Sequence, residues 1–151
     1  MARGAHDDDP IRGRMKILAP VTGTAISKHA AEVAIELARA AHADLTILYV
    51  SASRLPPDAR AQRRRRLLTR RHEEAVLREI VAVADHYELR VRTKIRIADV
   101  PSAAILDEAD GAGDTLIVVG VSIRPSEALL FGNTADQLLE ISRRSLLFVA
   151  S

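Results

Sequence analysis

The chain has 151 residues, the size of one ordinary domain, and its apolar 48% is mostly Ala, Val, Leu and Ile, with only 3% aromatics. It contains no cysteine, which excludes disulfides, thiolate metal sites and cysteine nucleophiles, and its formal net charge is +2. No apolar run approaches the roughly 18 residues that span a bilayer, and the opening MARGAHDDDPIRGR lacks the apolar core of a secretory signal. A cytoplasmic protein, or the cytoplasmic domain of a larger one, is expected.

Residues 1–14 are polar, with Asp7-Asp8-Asp9 beside Pro10, and read as a flexible tail or linker ahead of a domain at 15–151. MKILAPV (15–21) is a short apolar run stopped by Thr22-Gly23-Thr24, a buried strand. Over 27–43 apolar residues recur at helical spacing, with Ser27 as the expected N-cap. DLTILYV (44–50) is a second strand, and 51–59 a loop. A long helix is expected over 59–88, with Leu68, Val76, Ile80, Val83 and Tyr87 on its packed face. The β-branched content of 89–98 predicts a strand. VPSAAILDEADGAG (100–113) reads as a short helix, with Pro101 in its first turn and Gly111 near its end. DTLIVVG (114–120) is a buried strand, 133–144 the last helix and SLLFVAS (145–151) the last strand.

Strands that alternate with helices predict a three-layer α/β/α domain around a parallel sheet with right-handed crossovers. Ligands in such sheets sit beyond the C-terminal strand ends, at the switch in strand order. The loops that follow Val21, Val50, Ala98 and Gly120 are therefore the places to search.

The stretch TLIVVGVSIRPSEALLFGNTAD (115–136) is the most suggestive of these. Phosphate binding needs backbone N–H groups aimed at one point, and a glycine-containing turn into a helix N-terminus supplies them. Gly120 and Gly132 allow close backbone approach, Asn133 and Thr134 add side-chain donors, and Arg124 adds a forked cation. A strand–turn–helix that needs small residues for its own geometry explains the same glycines, and the Gly-Lys-Ser/Thr of a Walker A loop is absent. In the loop after the first strand, Pro20, Val21 and Thr22 are candidates to wall a slot for a base.

The stretches MKILAPVTGTAISKHAAEVAIELARAAHADLTILYV, VPSAAILDEA and TLIVVGVSIRPSEALLFGNTADQLLEISRRSLLFVAS together resemble a universal stress protein domain. The resemblance implies a five-stranded parallel sheet in the order 3-2-1-4-5, of the adenine nucleotide alpha hydrolase-like type. It also implies a homodimer formed through the last strand, Ser145 to Ser151. One branch of that family binds ATP through Gly-x2-Gly-x9-Gly followed by Ser or Thr. Here Gly120 matches the first glycine, Ile123 holds the second position, and Gly132 comes one residue early. Thr22 holds the position of an aspartate that helps to hold base or ribose, and Val50 matches a valine whose backbone contacts adenine. The implied site is Pro20, Val21, Thr22 and Val50 around base and ribose. Gly120, Arg124, Gly132, Asn133 and Thr134 would hold the phosphates, and Val119 and Ser122 are further nucleotide-binding candidates. The ligand would be ATP or another adenine nucleotide, with Mg²⁺ arriving on the phosphates. GVSIRPSEALLFGNTA further resembles a variant found as cytoplasmic tails of cation/proton antiporters and amino-acid transporters, which implies a membrane transporter as partner.

Other features carry less. Residues 54–71 hold eight arginines against one aspartate, so the basic character is one patch that includes Arg63–Arg66. With Leu67 and Leu68 beside them and no aromatics for stacking, these arginines read as a solvated helix face rather than a nucleic-acid site. If they bind anything, an anionic membrane is as good a target as nucleic acid. The histidines at 6, 29, 42, 72 and 86 have no metal-ligand spacing. Asp107, Glu108 and Asp110 read as the exposed face of a helix, and Ser122 and Ser126 have no triad setting. No nucleophile–base–oxyanion set is assembled. The reading is a non-enzymatic adenine-nucleotide-binding stress-response or transporter-regulatory domain. Two alternatives stay open: a nucleotide-free dimeric interaction module, and a weak ATPase.

Overall fold

A computed structural model of the chain describes residues 14–52, 58–114, 116–122 and 133–150. Five strands alternate with four helices: β1 (Lys16–Val21), α1 (Ala25–Ala41), β2 (Asp44–Ala52), α2 (Ala59–His86), β3 (Val91–Ala98), α3 (Pro101–Ala112), β4 (Leu116–Val121), α4 (Asn133–Ile141) and β5 (Ser145–Ala150). Every pairing is parallel, and the order is β3-β2-β1-β4-β5, as expected. The chain builds outward from β1 to β3, then returns to the other side of β1 for β4 and β5. The switch in order therefore falls between β1 and β4.

The central strands are apolar on both faces because helices cover both. Ile17, Ala19 and Val21 of β1, Leu45, Ile47 and Tyr49 of β2 and Val118 of β4 face α1 and α2. Leu18, Leu48, Ile117, Val119 and Val121 face α3 and α4, where they meet Ile105, Ala109, Ala135 and Leu138. The α1 stripe is alanine-rich (Ala30, Ala31, Ala34, Ala38), which lets that helix lie close on the sheet. Lys28 Nζ donates to Glu79 Oε2 at 2.6 Å and ties α1 to α2.

Three local expectations need correction, and one is refined. The α1 N-cap is Thr24, not Ser27: Thr24 Oγ1 accepts from Ser27 N at 3.4 Å, and Ser27 lies buried in the first turn. Leu68 is not on the packed face of α2. It is 58% exposed, and the buried set is Glu73, Val76, Leu77, Ile80 and Ala84. Helix α3 runs as expected, with Gly111 near its end, and is capped by Gly113 at φ 70°, a left-handed conformation that glycine adopts freely. Glu108 is not part of an exposed acidic face. It is buried at 5% and holds Lys94 and Arg96 of β3, the latter through Nε to Oε2 at 3.1 Å. Asp107 and Asp110 are exposed, and Asp110 pairs with Arg144 at 3.1 Å. A sequence of like charges does not reveal that one of them turns inward to meet two cations of an edge strand.

Candidate functional site

The crevice at the β1–β4 switch is built from two strand ends and two helix starts. Thr22 follows the end of β1, and Ser122 follows the end of β4; both are exposed. Asn133 and Thr134 open α4, exposed and half-buried respectively. The first N–H groups of a helix have no intrahelical acceptor, and a helix start carries a partial positive charge.

The turn before α1 is held by hydroxyls that bond to one another and to the backbone. Ser27 Oγ accepts from Thr22 N at 3.1 Å and donates to the Thr22 carbonyl at 2.8 Å. Thr22 Oγ1 lies 3.0 Å from Thr24 Oγ1 and accepts from Thr24 N at 3.4 Å. The β1–α1 turn is thus a closed network of three hydroxyls. Thr22 stands within that network, so its hydroxyl is already engaged.

Gly120 has a packing reason for its identity. Its position in β4 points toward α1, and a Cβ there would stand 2.7 Å from the carbonyl oxygen of Ile26 and 3.2 Å from Cα of Ser27. The glycine lets the first turn of α1 cross the end of β4. That contact brings the two strand ends and the α1 turn together, so Gly120 shapes the crevice by allowing a helix to approach.

The remaining candidate residues fall into two groups. Val21 is 2% exposed and part of the α1–α2 core, Val119 is 8% exposed on the α3–α4 side, and Pro20 is buried. These three support the floor from beneath. Val50 is half-buried, packs on the α3–α4 cluster and pairs with Arg96 in the sheet. Arg124 and Gly132 lie outside the described residues, as does Ile123.

Two residues beside the crevice carried no signal in the sequence. A Cβ on Gly23 would stand 2.7 Å from His72 Nε2, so the imidazole of α2 lies over the turn that follows β1. The next residue, Glu73, is 4% exposed, and its Oε1 has no hydrogen-bond partner among the described residues. Burial and the Glu73 carboxylate push the Tyr49 phenol above its usual pKa. No spacing rule could have found either, because α2 and the β1 turn meet only in the folded chain.

The residues present are compatible with an adenine nucleotide in part. Hydroxyls of Thr22 and Ser122 and the α4 start are polar and accessible, and Val50 offers a half-buried apolar surface. One feature opposes phosphate: Asp136 lies in the first turn of α4. Among the described residues, no group of three or more His, Cys, Asp or Glu is placed to hold a metal ion.

Comparison with known proteins gives the same architecture. A protein of the universal stress protein family from Burkholderia pseudomallei is 22% identical, with a TM-score of 0.69 over 90% of this chain and 96% of that one. A universal stress protein from Archaeoglobus fulgidus in complex with dAMP is 15% identical, TM-score 0.64, covering 89% and 96%. An Arabidopsis thaliana universal stress protein family protein with AMP bound is 16% identical, TM-score 0.66, covering 90% and 91%. Among curated proteins none matches the chain. The universal stress protein family model matches residues 13–150, and the chain belongs to that family.

Proposed function

We propose that this chain is an adenine-nucleotide-binding regulatory domain without strong catalytic activity. The nucleotide sits across the C-terminal ends of β1 and β4. Its base and ribose lie near Pro20, Thr22 and Val50, and its phosphates lie toward Ser122, Asn133, Thr134 and the intervening segment with Arg124 and Gly132. The observation that carries this reading is the start of α4, which follows the strand at the β1–β4 switch. The hydroxyl network fills the α1 turn, while α4 opens beside the strand switch with Asn133 and Thr134 at its head. The AMP-bound and dAMP-bound proteins that share the fold support the choice of ligand class. Binding would shift an equilibrium with a partner. We take that partner to be a second copy joined along β5, an edge strand with Leu147 exposed, or a membrane transporter.

A nucleotide-free interaction module is the second reading, favoured by the engagement of Thr22 in the α1 cap. Calorimetric titration of the full chain with AMP, ATP and a cyclic dinucleotide separates the two. Asn133→Ala with Thr134→Ala should weaken nucleotide binding by about tenfold, the cost of one or two charge-assisted hydrogen bonds, while the chain stays folded. An unchanged affinity in that double variant contradicts the placement of the phosphates at α4.

A further inference from the structure

The first half of α2 contributes nothing to the core. From Ala59 to His72 no residue is buried, and the packed face begins at Glu73. That half carries seven arginines: Arg60, Arg63, Arg64, Arg65, Arg66, Arg70 and Arg71. Among the described residues only Arg70 of these has a carboxylate partner, Glu74 at 3.1 Å. Leu67 and Leu68 are 63% and 58% exposed in the middle of the run.

Helical spacing places five of these nine residues on one line. Arg60, Arg64, Leu67, Leu68 and Arg71 follow i, i+4, i+7, i+8 and i+11, which stacks them along one face. At about 100° per residue, that face points away from Glu73, Val76, Leu77, Ile80 and Ala84. The helix therefore has two faces with different uses. One packs on the sheet, and the other presents two leucines bracketed by guanidinium groups.

We propose that this outer stripe docks the chain on an anionic lipid surface. Leu67 and Leu68 would enter the headgroup boundary, and the flanking arginines would pair with lipid phosphates while their aliphatic stems lie along the apolar zone. A second copy of the chain is a poor occupant, because two such stripes would oppose like charges. Nucleic acid would use the arginines but leave the leucines without a role, and no aromatic side chain lies in this half of the helix. The stripe shares no residue with the β1–β4 crevice, so lipid docking and nucleotide binding can fail separately.

The experiment is sedimentation of the full chain with vesicles of phosphatidylcholine alone or with roughly one-third phosphatidylglycerol. Partitioning should be at least about tenfold stronger on the anionic vesicles and should fall as added salt shortens the screening length. Leu67→Ser with Leu68→Ser should weaken it by about fivefold without moving the melting temperature, since both leucines are exposed. Arg64→Glu with Arg71→Glu should remove it. Equal binding to both vesicle types, absence of binding by the folded chain, or a leucine variant that binds anionic vesicles as well as the parent would each overturn the proposal. So would retention on duplex DNA that is tighter than on the vesicles and indifferent to the leucine changes.

Discussion

At Gly120 a single hydrogen atom decides whether α1 can cross β4. A methyl group would press on the Ile26 carbonyl at 2.7 Å, and backbone on both sides leaves no flexible side chain to yield. Gly120→Ala should cost about 1–3 kcal/mol, the usual range for overpacking, read by urea unfolding with nucleotide absent. An unchanged midpoint would show that the helix shifts freely and that the glycine is not required for packing. Asp114 poses a different problem. It is 2% exposed, and its Oδ2 has no hydrogen-bond partner among the described residues. Burial first, then the nearby Glu108 carboxylate, push its pKa above the ordinary 3.8. The folded chain therefore holds this proton more tightly than the unfolded chain. Its contribution is most favourable below the ordinary value and is lost as pH rises through the raised one. Asp114→Asn should stabilise the protein at neutral pH, with the advantage shrinking as the pH falls toward about 4. Unfolding midpoints measured across that window check it, and a pH-independent difference contradicts it.

Among the elements, α4 is where opposing effects can be separated. Asp136 in its first turn favours the helix through the macrodipole but competes with any phosphate for the same partial charge. Asp136→Asn should lower stability by about 0.3–1 kcal/mol and, in the same protein, tighten nucleotide binding severalfold. Stability loss without any gain in affinity would place the phosphates elsewhere. All five strands and four helices were legible from hydrophobic patterning, because each central strand is apolar on both faces and each helix carries a stripe. Boundaries were less so. Ser27 is a good capping residue by type, yet it is buried and turns its hydroxyl back to Thr22, while Thr24 caps. Leu68 continues the apolar count of α2 but falls on the outer face, before the buried set that begins at Glu73. The inward turn of Glu108 toward Lys94 and Arg96, and the seat of His72 over Gly23, depend on contacts between distant segments that no local pattern encodes. The crevice itself was legible through the strand order that the family resemblance implies, and Asn133 and Thr134 stand at its rim, whereas Val21 and Val119 are buried.

At the scale of the whole molecule, this universal stress fold carries two distinct surfaces. The strand switch offers polar residues at its rim, and α2 offers a basic, leucine-bearing ridge outside the core. A domain that senses a nucleotide at the first and sits on an anionic surface with the second would link metabolic state to events at a membrane. That link depends on the nucleotide site, so the deciding measurement is calorimetric titration of the purified full chain with AMP and ATP. The account predicts saturable binding of one nucleotide per chain, weakened by Asn133→Ala with Thr134→Ala and tightened by Asp136→Asn. A folded chain that gives no binding heat with either nucleotide at about millimolar concentration, where a binding free energy of roughly 4 kcal/mol would still register, would contradict it.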